Sequence, residues 1–160
     1  MPHHVDVQND HQFPIDAAAL QRAALAVLDA HDVEHDTTLS VVLLPDEDIR
    51  ALNQQHRGVD APTDVLSFPA DDLPEGIDEA PYLGDVLIGF PYVQAQSERE
   101  GFPLAESLIL MVVHGTLHLL GYDHDTPDSR ADMWNVQADI LKQLGIRPEI
   151  VLAYEQEHDE

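Results

Sequence analysis

Three histidines, His114, His118 and His124, lie close together in the second half of the chain. The first two are four residues apart in an apolar run typical of a buried helix, so both imidazoles project from one face. Gly121 can end that helix, because glycine enters left-handed backbone conformations without steric cost, and the returning chain brings His124 toward the pair. Three neutral imidazoles are ligands for a first-row transition metal, zinc by default. The sequence therefore predicts a metal site.

The ligand spacing also indicates what kind of metal site this is. With Gly121 three residues after the second histidine, it reproduces the metzincin frame His-Glu-x-x-His-x-x-Gly-x-x-His. The general base of that frame follows the first histidine directly, and here the position is Gly115, which cannot accept a proton. We therefore expect the ligand frame without peptide hydrolysis by the usual zincin route. Three protein ligands leave a fourth position open for water or a substrate oxygen, which is the catalytic arrangement.

The composition limits the classes of protein that fit. The 160 residues, enough for one domain, include 31 acidic and 7 basic side chains, for a net charge of −24. This balance argues against a general nucleic-acid-binding surface, although it leaves room for a small local basic site. Without cysteine, any metal must be held by His, Asp or Glu. No segment of membrane-spanning length and no export signal is visible, which predicts a cytoplasmic protein.

Hydrophobic periodicity places the histidines in an α+β domain. Strands are predicted at 5–8, 37–44, 65–68 and 82–90. Helices are predicted to begin with Asp16 and Asp46 as N-caps, and with Pro91, Pro103 and Pro127 at a first helical position. We expect parallel pairing in the first two strand–helix units and an antiparallel pair from the third and fourth strands. The prediction is a mixed four-stranded sheet packed with about five helices, with the zincin-like histidine helix central beneath it.

Several further features complete the expected organisation. Residues 1–154 are predicted to form one domain and residues 155–160 an acidic tail, and the segment from Asp71 to Pro81 is predicted to be a loop. Gly84 and Asp85, inside the fourth strand, predict a bulge or a close backbone approach. Six other histidines have no partner at metal spacing and are interpreted as surface or capping residues: His3, His4, His11, His31, His35 and His158.

The segment from His114 to His124 resembles the signature of the YbeY family, bacterial metal-dependent endoribonucleases of rRNA maturation. Further blocks resemble the family in the same order, from about residue 5 to 145: Leu52-Asn53 with Arg57-Gly58, the run from Thr63 to Pro69, the run from Leu83 to Val86, and Met133 with Gln137. The resemblance implies a zinc-type enzyme that cleaves single-stranded RNA in 16S rRNA 3′-end maturation and ribosome quality control. It also implies ribosomal small-subunit proteins and an assembly GTPase as partners.

Carried over by position, the resemblance makes His114, His118 and His124 the metal ligands and Arg57 the functional arginine. Arg57 ends a predicted helix and precedes glycine, which by itself makes it a candidate phosphate clamp. The alternatives are an interaction with the helix C-terminus or an ion pair with one of the many acids. His56 stands where the family tends to have an aromatic residue.

Four more residues are candidates for the substrate cleft: Thr63, Asp64, Ser67 and Asp85. Asp64 could equally be a turn residue that bonds its own backbone. Asp85 could accept the second N–H of a ligating histidine, since metal-bound imidazoles usually donate it to a carboxylate or carbonyl. Asp123 could serve only to stabilise its turn.

The residues leave the chemistry of cleavage open. No general base is visible, and the nucleophile could be an activated water or the neighbouring 2′-OH. A ribosome-assembly factor with a structural metal is a second interpretation, favoured by the missing base and the acidic surface. A metalloprotease is a third, supported by the ligand frame and opposed by Gly115.

Overall fold

The structure is a computed structural model that describes residues 3–33, 37–70 and 82–157. Its strands are β1 (His4–Gln8), β2 (Thr38–Leu44), β3 (Val65–Pro69) and β4 (Tyr82–Gly89). Its helices are α1 (Ala17–Ala30), α2 (Asp46–Arg57), α3 (Phe90–Glu100), α4 (Leu104–Leu119), α5 (Pro127–Gln143) and α6 (Pro148–Glu157). None of the described helices has the length and apolar character needed to cross a membrane.

The four strands form one mixed sheet in the order β1-β2-β4-β3. Strands β1, β2 and β4 are parallel, and β3 runs antiparallel to β4, which confirms the predicted α+β class and mixed sheet. The second strand–helix unit differs from the expectation. Its strand β2 is parallel to β4 instead of β3, and β3 lies at the edge of the sheet. The turn that follows α2 returns the chain beyond β4, where the amide of Gly89 donates to the carbonyl of Asp64 at 2.9 Å.

The two acidic caps predicted for α1 and α2 have different outcomes. The prediction for Asp16 is confirmed, since its side chain accepts a hydrogen bond from the amide of Ala19. The prediction for Asp46 is wrong, because Pro45 is the N-cap and Asp46 is the first helical residue. The carbonyl of Pro45 accepts the first helical amides. Asp46 lies instead in an acidic first turn, where carboxylates interact favourably with the helix dipole.

The structure has a sixth helix, α6, which the prediction of about five helices missed. Its inward residues Ile150, Val151 and Tyr154 are buried at helical spacing, and Pro148 occupies its first position, so both signals are present in the sequence. The predicted acidic tail therefore begins inside α6. Residues 158–160 and the predicted loop at 71–81 lie outside the described residues, as do His35 and His158.

Helix α4 lies at the centre of the molecule, as its apolar sequence predicts. It packs against β3 and β4 on one side and against α1, α3, α5 and α6 on the others. Every residue from Leu110 to Leu117 is buried. A Cβ at Gly115 would lie 2.6 Å from Cγ1 of Val86, so this position permits the close approach of α4 to β4.

The sheet is covered on both faces, and β3 divides its side chains between them. Val41, Val86 and Ile88 belong to the main core with α4, whereas Leu66 and Leu87 form a small cluster with Ile49 of α2. Because side chains alternate along a strand, Ser67 points toward α4 and Phe68 packs toward α2. The edge strand β3 therefore presents different chemistry on its two sides.

The predicted irregularity at Gly84 is confirmed. Gly84 has φ of 143°, and a Cβ there would lie 2.4 Å from the carbonyl oxygen of Phe68. The register between β2 and β4 also shifts between Thr38 and Leu39, opposite this point. Glycine is required here because the backbones of β3 and β4 leave no space for a side chain.

Candidate metal centre

The structure brings the three predicted ligands together at the end of α4. His114 and His118 lie in its last turns, and their Nε2 atoms are 3.1 Å apart. The chain then turns at Gly121, which has φ of 103°, and returns His124 to the pair. The ring centroid of His124 lies 5.5 Å from that of His114 and 5.2 Å from that of His118. One nitrogen from each histidine lies within 4.8 Å of the other two.

Hydrogen bonds fix which nitrogens of the helical pair carry protons. Nδ1 of His114 lies 2.9 Å from Oε1 of Gln137, and Nδ1 of His118 lies 2.8 Å from the carbonyl oxygen of Tyr122. These oxygens only accept, so each Nδ1 must be the donor. A neutral imidazole has one N–H, so in this tautomer each Nε2 carries a lone pair and no proton.

Two lone pairs facing each other at 3.1 Å repel unless a cation lies beside both. In tetrahedral zinc sites with Zn–N bonds of about 2.0–2.1 Å, ligand nitrogens are separated by about 3.3–3.4 Å. The Nε2 pair is close to that separation, and a third imidazole is adjacent. The donor set and its tautomers therefore fit a zinc-type metal ion.

The surroundings of His118 favour its neutral form. Burial lowers the pKa of His118, and the nearby His124 lowers it further, while the carbonyl of Tyr122 and Asp123 oppose the shift. A neutral imidazole is the form that binds a metal. Ligation at His118 is therefore protected against protonation to lower pH than at an ordinary exposed histidine.

Aromatic rings from α5 and α6 enclose the histidines on the protein side. Trp134 stacks on His124 with ring centroids 5.4 Å apart and also contacts His114. Tyr154 packs edge-on against His114 at 5.0 Å. Sequence reasoning missed the roles of these rings and of Gln137. Trp134 and Gln137 are three residues apart on one helical face, which is the signal that was available.

The turn that carries His124 is anchored to α1. Nδ1 of His31 lies 2.7 Å from the carbonyl of Val27, and its Nε2 lies 2.9 Å from Oη of Tyr122. His31 is also the C-cap residue of α1, in agreement with its interpretation as a capping residue. Tyr122 is thus held by two histidines: His31 contacts its hydroxyl group, and His118 donates to its carbonyl oxygen.

The triad opens onto a cleft of about 720 Å³ that passes the edge strand β3 and reaches the end of α2. Of the predicted site residues, Arg57, Thr63, Asp64 and Ser67 line this cleft together with the three histidines. Asp85 is not among the described residues that line it. The structure therefore places four of the five non-histidine candidates at one surface with the triad.

Arg57 brings a positive charge to the cleft. It is the last residue of α2, is exposed, and is followed by Gly58 at φ of 71°. Within the described ranges no carboxylate forms an ion pair with it, whereas Arg50 of the same helix binds Asp60 at 2.7 Å and 3.2 Å. Among the described residues the alternative of an ion pair is therefore not formed, and a guanidinium in this position can bind an anion.

The remaining candidates have structural contacts of their own. Oγ of Ser67 donates to the carbonyl of Gly115 at 2.9 Å, which ties the edge strand to the histidine helix. Oδ1 of Asp64 accepts from the amide of Val65 at 2.7 Å, a bond to its local backbone of the kind expected of a turn residue. The hydroxyl of Thr63 also donates to Asp64, at 3.3 Å.

Asp85 has a different role from the one considered for it. Its carboxylate accepts from the hydroxyl of Tyr82, while Gln137 and Tyr122 accept the Nδ1 protons of the helical histidines. Asp123 accepts from the amide of His124 at 2.8 Å, so it stabilises the turn as well as lining the cleft.

Comparison with known proteins identifies close relatives. Residues 5–145 match the family model described as Endoribonuclease YbeY. A protein of that name from Roseiflexus castenholzii is 42% identical over 91% of this chain and 95% of its own length. Another from Azorhizobium caulinodans is 44% identical over 81% of this chain and 80% of its own length. The solution structure of a Thermotoga maritima protein, 24% identical, shares the fold with a TM-score of 0.58 over 88% of both chains.

Proposed function

Because this chain belongs to the YbeY endoribonuclease family, we propose that it cleaves single-stranded RNA in a metal-dependent reaction. One observation carries the proposal. The Nε2 atoms of His114 and His118, 3.1 Å apart, belong to residues that line the same cleft as Arg57. A cation site and a guanidinium at one surface can together recognise a phosphodiester.

His114, His118 and His124 would hold the metal ion, for which zinc is the first candidate. When bound, zinc supplies a Lewis acid for a phosphoryl oxygen and lowers the pKa of water to about 7. Gln137 and the Tyr122 carbonyl keep the Nδ1 protons in place, so that both Nε2 atoms stay available as ligands.

Arg57 would bind the non-bridging oxygens of a phosphate and stabilise the additional negative charge of the transition state. Trp134 and Tyr154 pack against His124 and His114 and help to hold their rings in position. The hydroxyl oxygens of Thr63 and Ser67, which donate to Asp64 and Gly115, would accept hydrogen bonds from RNA along the same cleft. The attacking group, an activated water or the 2′-OH next to the scissile phosphate, is not assigned.

The cellular role follows from the family and is part of the proposal. We place the activity in the cytoplasm, in 16S rRNA 3′-end maturation and ribosome quality control, with ribosomal small-subunit proteins and an assembly GTPase as partners. The net charge of −24 is complementary to basic ribosomal proteins and unfavourable for free RNA. A basic partner would therefore assist delivery of the RNA.

Cleavage of a single-stranded 16S 3′-end precursor tests this function. Metal-loaded wild type should cleave it, and both His114→Ala and Arg57→Glu should lose the activity. Arg99→Glu is the matched control, because Arg99 is also exposed in the last turn of a helix but does not line the cleft. Equal cleavage by wild type, His114→Ala and Arg57→Glu would indicate a contaminating nuclease and reject the proposal.

A ribosome-assembly factor with a structural metal is the second candidate. The observation that favours it is the glycine at position 115. Glycine supplies no general base there, and any side chain would clash with Val86 of β4. It predicts that metal removal lowers the melting temperature while the loaded protein binds basic ribosomal proteins and cleaves nothing. The same feature of Gly115 argues against the metalloprotease, which proteolysis of casein by a repurified, metal-loaded sample would revive.

A further inference from the structure

Away from the histidines, two aromatic rings lie at the α2 side of the cleft. The imidazole of His56 packs on the phenyl ring of Phe68 with centroids 4.2 Å apart and planes inclined by 39°. His56 is exposed and Phe68 is half-buried, and both line the cleft. Neither ring has a part in the metal site or in the phosphate contact of Arg57.

The ring pair packs on the protein core at one side and faces the cleft at the other. Phe68 packs against the small cluster of Ile49, Leu66 and Leu87, which fixes its ring on the α2 face of the sheet. His56 covers part of that ring and is itself exposed to the cleft. A flat aromatic surface is thus held by buried apolar contacts and presented to solvent inside the cleft.

His56 is also adjacent to the anion-binding group. It directly precedes Arg57 in the last turn of α2, so the imidazole and the guanidinium enter the cleft from consecutive backbone positions. A nucleotide has the same arrangement, with a flat base next to an anionic phosphate. A phosphate held by Arg57 would therefore bring a neighbouring base within reach of His56.

We propose that His56 and Phe68 form a stacking subsite for one unpaired nucleobase, next to the phosphate bound by Arg57. The inference rests on the proposed function and adds a source of selectivity for single strands. In a duplex both faces of a base are covered by neighbouring pairs, whereas an unpaired base can stack on an aromatic side chain. Stacking tolerates any base, because every base has a π face.

Binding of a non-cleavable oligonucleotide tests the subsite. Metal-loaded full-length protein is titrated into a short 2′-O-methyl RNA in which 2-aminopurine replaces each base in turn. At one position wild type should quench the fluorescence, because 2-aminopurine loses emission when it stacks. His56→Leu should abolish that quenching and weaken binding about 5- to 10-fold, the lower part of the range for one stacked base.

The variants are chosen to separate ring stacking from other effects. His56→Trp should keep the quenching and bind at least as tightly as wild type, because the larger ring stacks better. Phe68→Leu keeps apolar packing without the ring and should weaken binding, with its fold checked by circular dichroism. His11→Leu is the matched control, since His11 is also an exposed histidine packed on a phenylalanine, Phe13, but lies outside the cleft.

An abasic nucleotide at the quenched position provides the decisive comparison. It should weaken binding to wild type by the same factor as His56→Leu and should have no further effect on His56→Leu. RNA binding that depends on Arg57 but not on His56 or the abasic change would overturn the stacking subsite and leave the proposed function standing. If wild type binds no oligonucleotide, both proposals fail.

Discussion

Gln137 is the residue whose replacement tests the metal centre most sharply without removing a ligand. Its side chain is fully buried, and its Oε1 accepts the Nδ1 proton of His114 at 2.9 Å. Within the described structure its Nε2 has no partner, so the amide is kept in the core at a cost. We infer that orienting His114 offsets this cost.

Gln137→Leu keeps a similar volume and removes the acceptor. The buried Nδ1–H of His114 then loses this acceptor, at about 1–3 kcal/mol, or the proton moves to Nε2, which loses the lone pair that would bind the metal. Loss of such outer partners typically costs about 10- to 100-fold in metal affinity, or about 1.4–2.8 kcal/mol. We expect zinc binding by Gln137→Leu to weaken by that factor.

Competition between the apoprotein and a chromogenic zinc chelator at neutral pH measures this effect. Gln137→Glu should retain the affinity, because a carboxylate also accepts from Nδ1 of His114. Gln143→Leu, an exposed position on the same helix, should behave as wild type. A folded Gln137→Leu protein with unchanged zinc affinity would refute the assigned tautomer and the role of Gln137.

Three further predictions follow from other parts of the structure. Gly115→Ala places a Cβ 2.6 Å from Val86, and the resulting overpacking of about 1–3 kcal/mol exceeds the gain of up to about 1 kcal/mol in helix propensity. Urea denaturation should show lower stability, and a variant at least as stable as wild type would contradict the packing argument. The pKa of His118 is lowered in the folded apoprotein, so the unfolded chain binds more protons in the window between that value and about 6.5. Stability contributed by His118 is present above about pH 6.5 and is lost as the pH falls toward the pKa of the folded state. In thermal unfolding, the melting temperature of His118→Gln should therefore depend less on acid pH than that of wild type. An unchanged pH dependence would contradict the lowered pKa of His118. The net charge of −24 repels RNA. The Debye length, over which salt screens this repulsion, shortens from about 30 Å at 0.01 M salt to about 8 Å at 0.15 M. Stopped-flow association with single-stranded RNA should therefore accelerate over that range, and a steep decrease would show that a local basic site dominates instead.

The metal triad could be predicted because its geometry is local. The four-residue separation of His114 and His118 defines one helical face, and Gly121 permits the turn that returns His124. The strands and the close approach at Gly84 were predictable for the same reason, since alternation and glycine position depend on neighbouring residues.

What the sequence left undetermined depends on packing between distant segments. Asp85 and Gln137 were both chemically able to accept from a histidine, and only the placement of α5 against α4 selects Gln137. The pairing of β2 with β4 depends on how the turn after α2 returns the chain. The sixth helix was missed although its Pro148 signal was available, and Tyr154 was missed with it.

We propose that His114, His118 and His124 hold one metal ion beside an open cleft. Anomalous diffraction from zinc-loaded crystals at the zinc absorption edge tests it directly. We expect one peak per chain at about 2.0–2.1 Å from Nε2 of His114, Nε2 of His118 and a nitrogen of His124, with the remaining coordination position facing the cleft that holds Arg57. A peak elsewhere, or a fourth protein ligand closing the site, would contradict it.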